Sequence, residues 1–221
     1  MTVDHGTVAA LARNGWFARQ PAALQNRLAE AGRMVTLRRG QWVYSQGDEG
    51  TGLCAVIEGA VRLEVALGAE RDVLIGLAPA PAILGQTRRS GGGPRLLTVR
   101  ANTASRVLMI TDDALDRAAA RDPGLWRAIN ELVYAQLEQM TRLAAHLLIQ
   151  TPGGRVAMRL LQFAEGHDVP VSQADLAEMT GLSRKTVNGH LAALERRGVI
   201  ARGYRAITLL DRQALERIAA R

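Results

Sequence analysis

From Met34 to Met109 apolar and polar residues alternate in short runs, among them Val35-Thr36-Leu37-Arg38, Ala60-Val61-Arg62-Leu63-Glu64-Val65 and Leu97-Thr98-Val99-Arg100-Ala101. Glycines at 40, 47, 50, 52, 59, 68, 76 and 85 punctuate them. A period of two broken by turn residues every ~8–12 positions predicts an antiparallel sandwich or barrel. Val8 to Gly32 has helical spacing instead and is expected to pack on that β-structure. After Pro123 the period changes. Ile129, Val133, Gln136, Met140, Leu143 and Leu147 recur at alternating steps of four and three, as in a coiled-coil seam. A second stripe of Leu125, Leu132, Leu137, Ala144 and Leu148 runs beside it. The two stripes predict one helix to Gln150, about 42 Å long at 1.5 Å per residue. One side would pack on its own domain and the first-named stripe on a partner helix; burial within a single domain is the alternative. Pro152-Gly153-Gly154 is expected to end the helix and act as a hinge.

Val171 to Arg205 carries the most informative spacing. Ser172, with Asp175 three residues on, opens a short helix over Gln173–Met179. Thr180-Gly181-Leu182 reads as a tight turn in which the glycine takes φ > 0. Ser183 then caps a second helix, Arg184 to Arg197, closed by Gly198. Val187, Leu191 and Leu194 form its inner side; Arg184, Lys185, Asn188 and Arg196 fall elsewhere. A structural αα-hairpin has similar spacing. The cap, the turn glycine and the basic first turn together read as a helix-turn-helix whose second helix enters the DNA major groove. Arg184 suits guanine O6 and N7, and Asn188 a base edge one turn on. The hydroxyls of Ser183 and Thr186 suit phosphate oxygens. Val199 to Leu209 reads as two strands around Arg202-Gly203, a basic wing in which Arg202 contacts the DNA backbone.

Composition narrows the class. The 221 residues are 48% apolar and 22% charged, which fits a two-domain globular chain. No apolar run approaches the ~20 residues that span a bilayer, and Met1 to Gly15 lacks the pattern of a signal peptide. A cytoplasmic protein with no membrane partner is expected. The single cysteine, Cys54, permits neither an internal disulfide nor a thiolate cluster. The four histidines, His5, His146, His167 and His190, have no ligand spacing, so no metal is expected. Basic residues outnumber acidic ones 17 to 14 over the first 150 residues and 11 to 7 over the last 71, a bias towards a polyanionic partner. Neither a Walker-type loop nor a G-x-S-x-G elbow is present, so an enzyme is not expected.

With these motifs in place, residues 15–210 resemble the Crp–Fnr superfamily of bacterial transcription regulators, typified by the cyclic-AMP receptor protein. Gly40, Gly47 and Gly59 fall at turns of its β-roll, Asp122-Pro123 opens its long helix, and Leu182-Ser183-Arg184-Lys185-Thr186-Val187-Asn188 resembles its recognition-helix signature. The resemblance implies an α+β fold. A cyclic-nucleotide-binding, jelly-roll-like β-roll would occupy 1–121, a dimerisation helix and hinge 122–151, and a winged helix-turn-helix 152–221. It also implies a homodimer, seamed by Ile129, Val133, Gln136, Met140, Leu143 and Leu147, on an inverted-repeat site in double-stranded DNA. RNA polymerase is a further partner if the chain is an activator, although the loop that contacts it in the family is short here (Glu165-Gly166-His167-Asp168).

In family members that bind cyclic AMP, a Gly-Glu pair holds the ribose, an Arg-Ser pair the phosphate and a Thr-Ser pair on the long helix the base. The matching positions are Gly85-Gln86, Arg95-Leu96 and Met140-Thr141. Loss of one charge-assisted and one neutral hydrogen bond, about 1.5–3 and 0.5–1.5 kcal/mol, argues against typical cyclic AMP. Arg88 and Arg89, beside Gly91-Gly92-Gly93, suit a larger anion such as a cyclic dinucleotide. The implied effector is thus a cyclic nucleotide or another anionic small molecule; a surface loop over a vestigial site, in a constitutive DNA binder, is the alternative.

Overall fold

The computed structural model describes residues 5–68, 72–149, 151–164, 166–203 and 206–220. The chain divides into two units, one ending at Leu137 and the other starting at Glu138. The long helix is therefore shared between them, where the sequence suggested a separate segment 122–151.

The first unit opens with α1 (His5–Leu11), α2 (Gly15–Ala18) and α3 (Ala22–Ala31). Asn14 caps α2, its side-chain oxygen accepting from the N–H groups of Trp16 and Phe17 at 3.2 Å each. Eight strands follow: β1 (Arg33–Leu37), β2 (Trp42–Tyr44), β3 (Gly52–Glu58), β4 (Ala60–Ala66), β5 (Asp72–Pro79), β6 (Ala82–Gln86), β7 (Thr98–Ala101) and β8 (Ser105–Thr111). They form two antiparallel sheets, β1-β8-β3-β6 and β2-β7-β4-β5, as the alternation requires. Gly59 turns β3 into β4 at φ +79°, and a Cβ there would sit 2.3 Å from the Ala104 carbonyl oxygen, so no other residue fits.

Between the sheets lie Tyr44, Cys54, Val56, Val61, Val99, Ala101 and Val107. The opposite face of β3, through Leu53, Ala55 and Ile57, packs on the helices: Leu11, Phe17, Leu24 and Leu28, then Leu115 of α4 (Asp112–Ala119) and Leu125, Ile129 and Leu132 of α5 (Gly124–Ile149). β3 is covered on both sides, which is why its residues read as a continuous apolar run. Trp16 ties the layers together: its indole N–H donates to the Ala128 carbonyl of α5 at 2.7 Å. Asp122 opens α5, accepting from Gly124 N–H at 3.2 Å and pairing with Arg27 at 2.8 Å.

The packing corrects the reading of α5. Ile129, assigned to a partner-facing seam, is 0% exposed in the chain's own core. Val133 packs against that core, and Gln136 and Leu143 are half-buried. The exposed apolar positions are Tyr134 at 73%, Leu137 at 58% and Leu148 at 87%, with Met140 and Leu147 at the margin. Leu137, Ala144 and Leu148 came from the stripe assigned to the domain. The two stripes are neighbours on one helix, and only the sheet beneath determines which of their residues are covered.

The second unit adds α6 (Pro152–Gln162), β9 (Asp168–Val169), α7 (Gln173–Thr180), α8 (Arg184–Arg196), β10 (Ile200–Gly203), β11 (Ala206–Leu209) and α9 (Arg212–Ala219). Its three strands order as β10-β11-β9, and its core includes Val156, Leu160, Leu176, Val187, Leu191, Ile200, Leu209 and Leu215. Pro152-Gly153-Gly154 is the first turn of α6 and not a hinge. Thr151 caps that turn, accepting from Gly154 N–H at 3.1 Å. Proline needs no N–H at that position, and Gly153 abuts the His190 ring of α8, where a Cβ would lie 3.3 Å from Nδ1. Arg202-Gly203 lies inside β10 and is not the wing tip, since Gly203 pairs with Ala206 across the hairpin. Tyr204, Arg205 and, in the loop before β9, Glu165 fall outside the described residues.

Burial fixes the first expected outcome. Ile129→Ala should lower the unfolding free energy measured in urea by about 2–5 kcal/mol, the cost of a truncated core side chain.

Candidate nucleic-acid interface and sensor site

The helix-turn-helix is built from caps. Ser172 Oγ accepts from Asp175 N–H at 3.1 Å to start α7. Gly181 ends that helix at φ +66°, a left-handed position that favours glycine. Ser183 Oγ accepts from Thr186 N–H at 3.1 Å to start α8, and the two hydroxyls lie 2.8 Å apart. Between the helices α6 supplies two arginines that the sequence reading did not single out. Arg155 donates to the Thr180 carbonyl at 2.9 Å and Arg159 to the Met179 carbonyl at 3.1 Å. Cations on the last carbonyls of α7 complement its dipole and fix the chain where it turns into α8. Burial lowers the Arg159 pKa to about 10, so it remains charged at neutral pH.

On that frame Val187, Leu191 and Leu194 point inward and Arg184, Lys185, Thr186 and Asn188 are exposed. With the exposed cap Ser183, the five predicted residues all reach solvent at the N-terminal end of α8. Arg202 differs in part from expectation. Its guanidinium grips Glu195 of α8 through Nε at 2.8 Å and NH2 at 2.5 Å, while its backbone N–H donates to the same carboxylate at 3.2 Å. These contacts hold the Glu195 carboxyl below the usual range and pin β10 to α8. The pair is partly exposed, so solvent screens it.

In the first unit Gly85, Gln86, Arg88, Arg89, Arg95 and Leu96 come together around the β6–β7 connection, and each polar side chain is engaged by protein. Gln86 Nε2 donates to the carbonyls of Gly93 at 2.8 Å and Pro94 at 2.9 Å, and its Oε1 accepts from Leu96 N–H at 3.2 Å. Arg95 is buried: Nε donates to the Gly50 carbonyl at 2.9 Å, NH1 to that of Gly52 at 2.7 Å, and the guanidinium stacks 4.0 Å above the Tyr44 ring. Arg88 pairs with Glu49 at 3.2 Å and Arg89 with Asp116 of α4 at 3.0 Å. Gly85, at φ +126°, lies so close to β3 that a Cβ would be 2.3 Å from the Gly52 oxygen. Leu96 is 72% exposed. Met140 and Thr141 are exposed on the part of α5 that belongs to the second unit. Burial pushes the Cys54 thiol up to about 12, with Arg95 pulling weakly the other way, so at neutral pH it is no reactive thiolate.

Among the described residues no helix is long and apolar enough to cross a membrane. Residues 34–122 match the model of the cyclic nucleotide-binding domain, and residues 154–218 that of the Crp-like helix-turn-helix domain. A CRP-like cAMP-activated global transcriptional regulator of Mycobacterium tuberculosis is 28% identical over 222 residues, covering 95% of this chain and 98% of that protein. The nitrogen fixation regulation protein FixK of Bradyrhizobium diazoefficiens is 31% identical over 199 residues, covering 86% and 83%. Among solved structures, FixK2 from Bradyrhizobium japonicum superimposes with a TM-score of 0.76 at 22% identity, over 85% of this chain and 96% of that one.

The contacts of Gln86 require an amide. Gln86→Glu would set a carboxylate against two carbonyl oxygens and free the connection, so amide hydrogen exchange across 87–96 should accelerate at least tenfold while β3 stays protected.

Proposed function

Because the chain belongs to the Crp–Fnr superfamily of transcription regulators, we propose that it acts in the cytoplasm as a homodimer, reading an inverted-repeat operator through paired copies of α8. The observation that carries this is the exposure of Arg184, Lys185, Thr186 and Asn188 on a helix capped by Ser183 and preceded by a turn where Arg155 and Arg159 hold the end of α7. In a major groove Arg184 meets guanine, Asn188 a neighbouring base edge, and Ser183, Thr186 and Arg202 the phosphates. The dimer seam is the exposed stripe Tyr134, Leu137, Thr141, Ala144 and Leu148. It alternates steps of three and four and leaves large apolar side chains in water unless a second helix covers them. Half-sites then lie about one helical turn apart. RNA polymerase joins the partners if the operator sits where the protein activates.

The effector belongs to the same proposal. Arg89 is held by the exposed Asp116 carboxylate and Arg88 by the carboxylate and the backbone carbonyl of Glu49, and an anionic ligand can replace the two carboxylates. Cyclic AMP is disfavoured: Gln86 faces the loop backbone instead of offering a carboxylate to ribose, and Arg95 is spent on Gly50 and Gly52. Those same contacts favour a second reading, a constitutive DNA binder whose sensor needs no ligand. A melting-temperature titration against cyclic mono- and dinucleotides separates the two, since ligand at 100 times its Kd adds about 2.7 kcal/mol of stability.

Two outcomes test the proposal. Over a series of operator variants, Arg184→Ala should lose roughly 1–3 kcal/mol on the preferred site and discriminate less at one base pair. Arg202→Ala should weaken all variants alike and reduce the salt slope by about one unit. The opposite pattern would exchange the roles of helix and wing. Leu137→Glu, which places like charges face to face across the seam, should sediment as a monomer; an unchanged dimer would move the interface off α5.

A further inference from the structure

A row of side chains crosses the outer face of the sheet β2-β7-β4-β5. The strand register sets Trp42 beside Arg100, Arg100 beside Arg62 and Arg62 beside Leu77, one residue from each strand. Val99, Val61 and Ala78, their neighbours along the strands, point into the sandwich, so the row points out. Trp42 is 54% exposed, and the Arg100 guanidinium stacks 4.9 Å from its ring centroid. Beside them Glu64 is almost wholly buried and accepts from Arg62 Nε at 3.0 Å and Arg100 Nε at 2.7 Å. One carboxylate thus fixes two guanidiniums along the sheet. Arg38 and Arg39, in the turn that leads into β2, are exposed next to Trp42 in sequence.

We propose that this row is a docking surface for an acidic segment of a partner protein. Tryptophan and arginine are the residues most often found at the centre of protein interfaces, and here both are held in place before any partner arrives. Four arginines, Arg38, Arg39, Arg62 and Arg100, outnumber Glu64 and Asp72, which lies 3.9 Å from Arg100, so the complement is negative. The dimensions select a pattern. Three strand spacings of about 4.8 Å put Trp42 roughly 14 Å from Leu77, and an extended chain advances about 13 Å between residues i and i+4. A segment reading apolar-x-acid-x-apolar would lay its outer residues on Trp42 and Leu77 and its acid between Arg100 and Arg62. Duplex DNA fits less well: Arg62 and Arg100 lie against the sheet and are tied to Glu64, and Leu77 has nothing to offer a phosphate.

The test uses the full chain, immobilised and challenged with a random twelve-residue peptide library on phage, with Trp42→Ala protein used to remove other binders. Enriched peptides should carry apolar-x-acid-x-apolar. As free peptides they should lose at least fivefold in affinity against Trp42→Ala and against Arg100→Ala, and a similar factor when the acid is changed to its amide. Operator binding by both variants should match the parent, which also reports that they fold. Three results overturn the proposal: no sequence survives the subtraction, the survivors bind Trp42→Ala equally well, or Trp42→Ala instead weakens a random DNA duplex.

Discussion

β3 has no face left for water, and most of the first unit is arranged by that constraint. One side, Cys54 and Val56, completes the sandwich; the other, Leu53, Ala55 and Ile57, needs a roof. α1 to α4 and the first turns of α5 supply it, which commits Leu125, Ile129 and Leu132 inward and leaves Tyr134, Leu137 and Leu148 outward. The start of the same strand anchors the β6–β7 connection. The Gly52 carbonyl receives Arg95, and Gly85 lies against it with no room for a side chain. The direction in which α5 presents an apolar face and the closure of the β6–β7 connection therefore share one foundation.

The second unit solves a different problem, that of aiming a short helix. α8 has 13 residues, and helices of that length are marginal on their own. Its aim comes from outside: the Ser183 cap, the left-handed Gly181, two arginines of α6 on the carbonyls of α7, and Arg202 binding β10 to Glu195. A polar surface that meets a groove in register has to be rigid before it arrives, and these contacts supply that rigidity without using the side chains of Arg184, Lys185 or Asn188.

The helix-turn-helix was legible because its signals are local. Ser172, Gly181, Ser183 and Gly198 each act within four residues, and the boundaries of α7 and α8 follow them closely. The β-roll was legible from alternation and from glycines whose turns demand them. What escaped depends on distant neighbours. Two neighbouring apolar stripes on α5 cannot reveal which of their residues β3 will cover. Nothing near Arg155 or Arg159 announces that their targets are carbonyls some twenty residues on. Pro152-Gly153-Gly154 has the composition of a break, yet the first glycine serves close packing against His190 inside a helix. At Gln86 the sequence shows only an amide; its partners, the Gly93 and Pro94 carbonyls and the Leu96 N–H, become visible once the loop is folded back upon it.

The hydrogen bond from Trp16 to the Ala128 carbonyl gives the molecule a built-in optical gauge. Trp16 is enclosed and held to the backbone of the long helix, Trp126 is half-buried on that same helix, and Trp42 is largely exposed on the outer sheet, so the helix-side pair and Trp42 emit at different wavelengths and aqueous quenchers reach them unequally. Any event that lifts α5 from the sheet must break the Trp16 contact and redden the blue component, while an event confined to the outer sheet alters only the red one. Movements of the long helix are thereby readable in the unlabelled protein, separately from whatever happens on the opposite face.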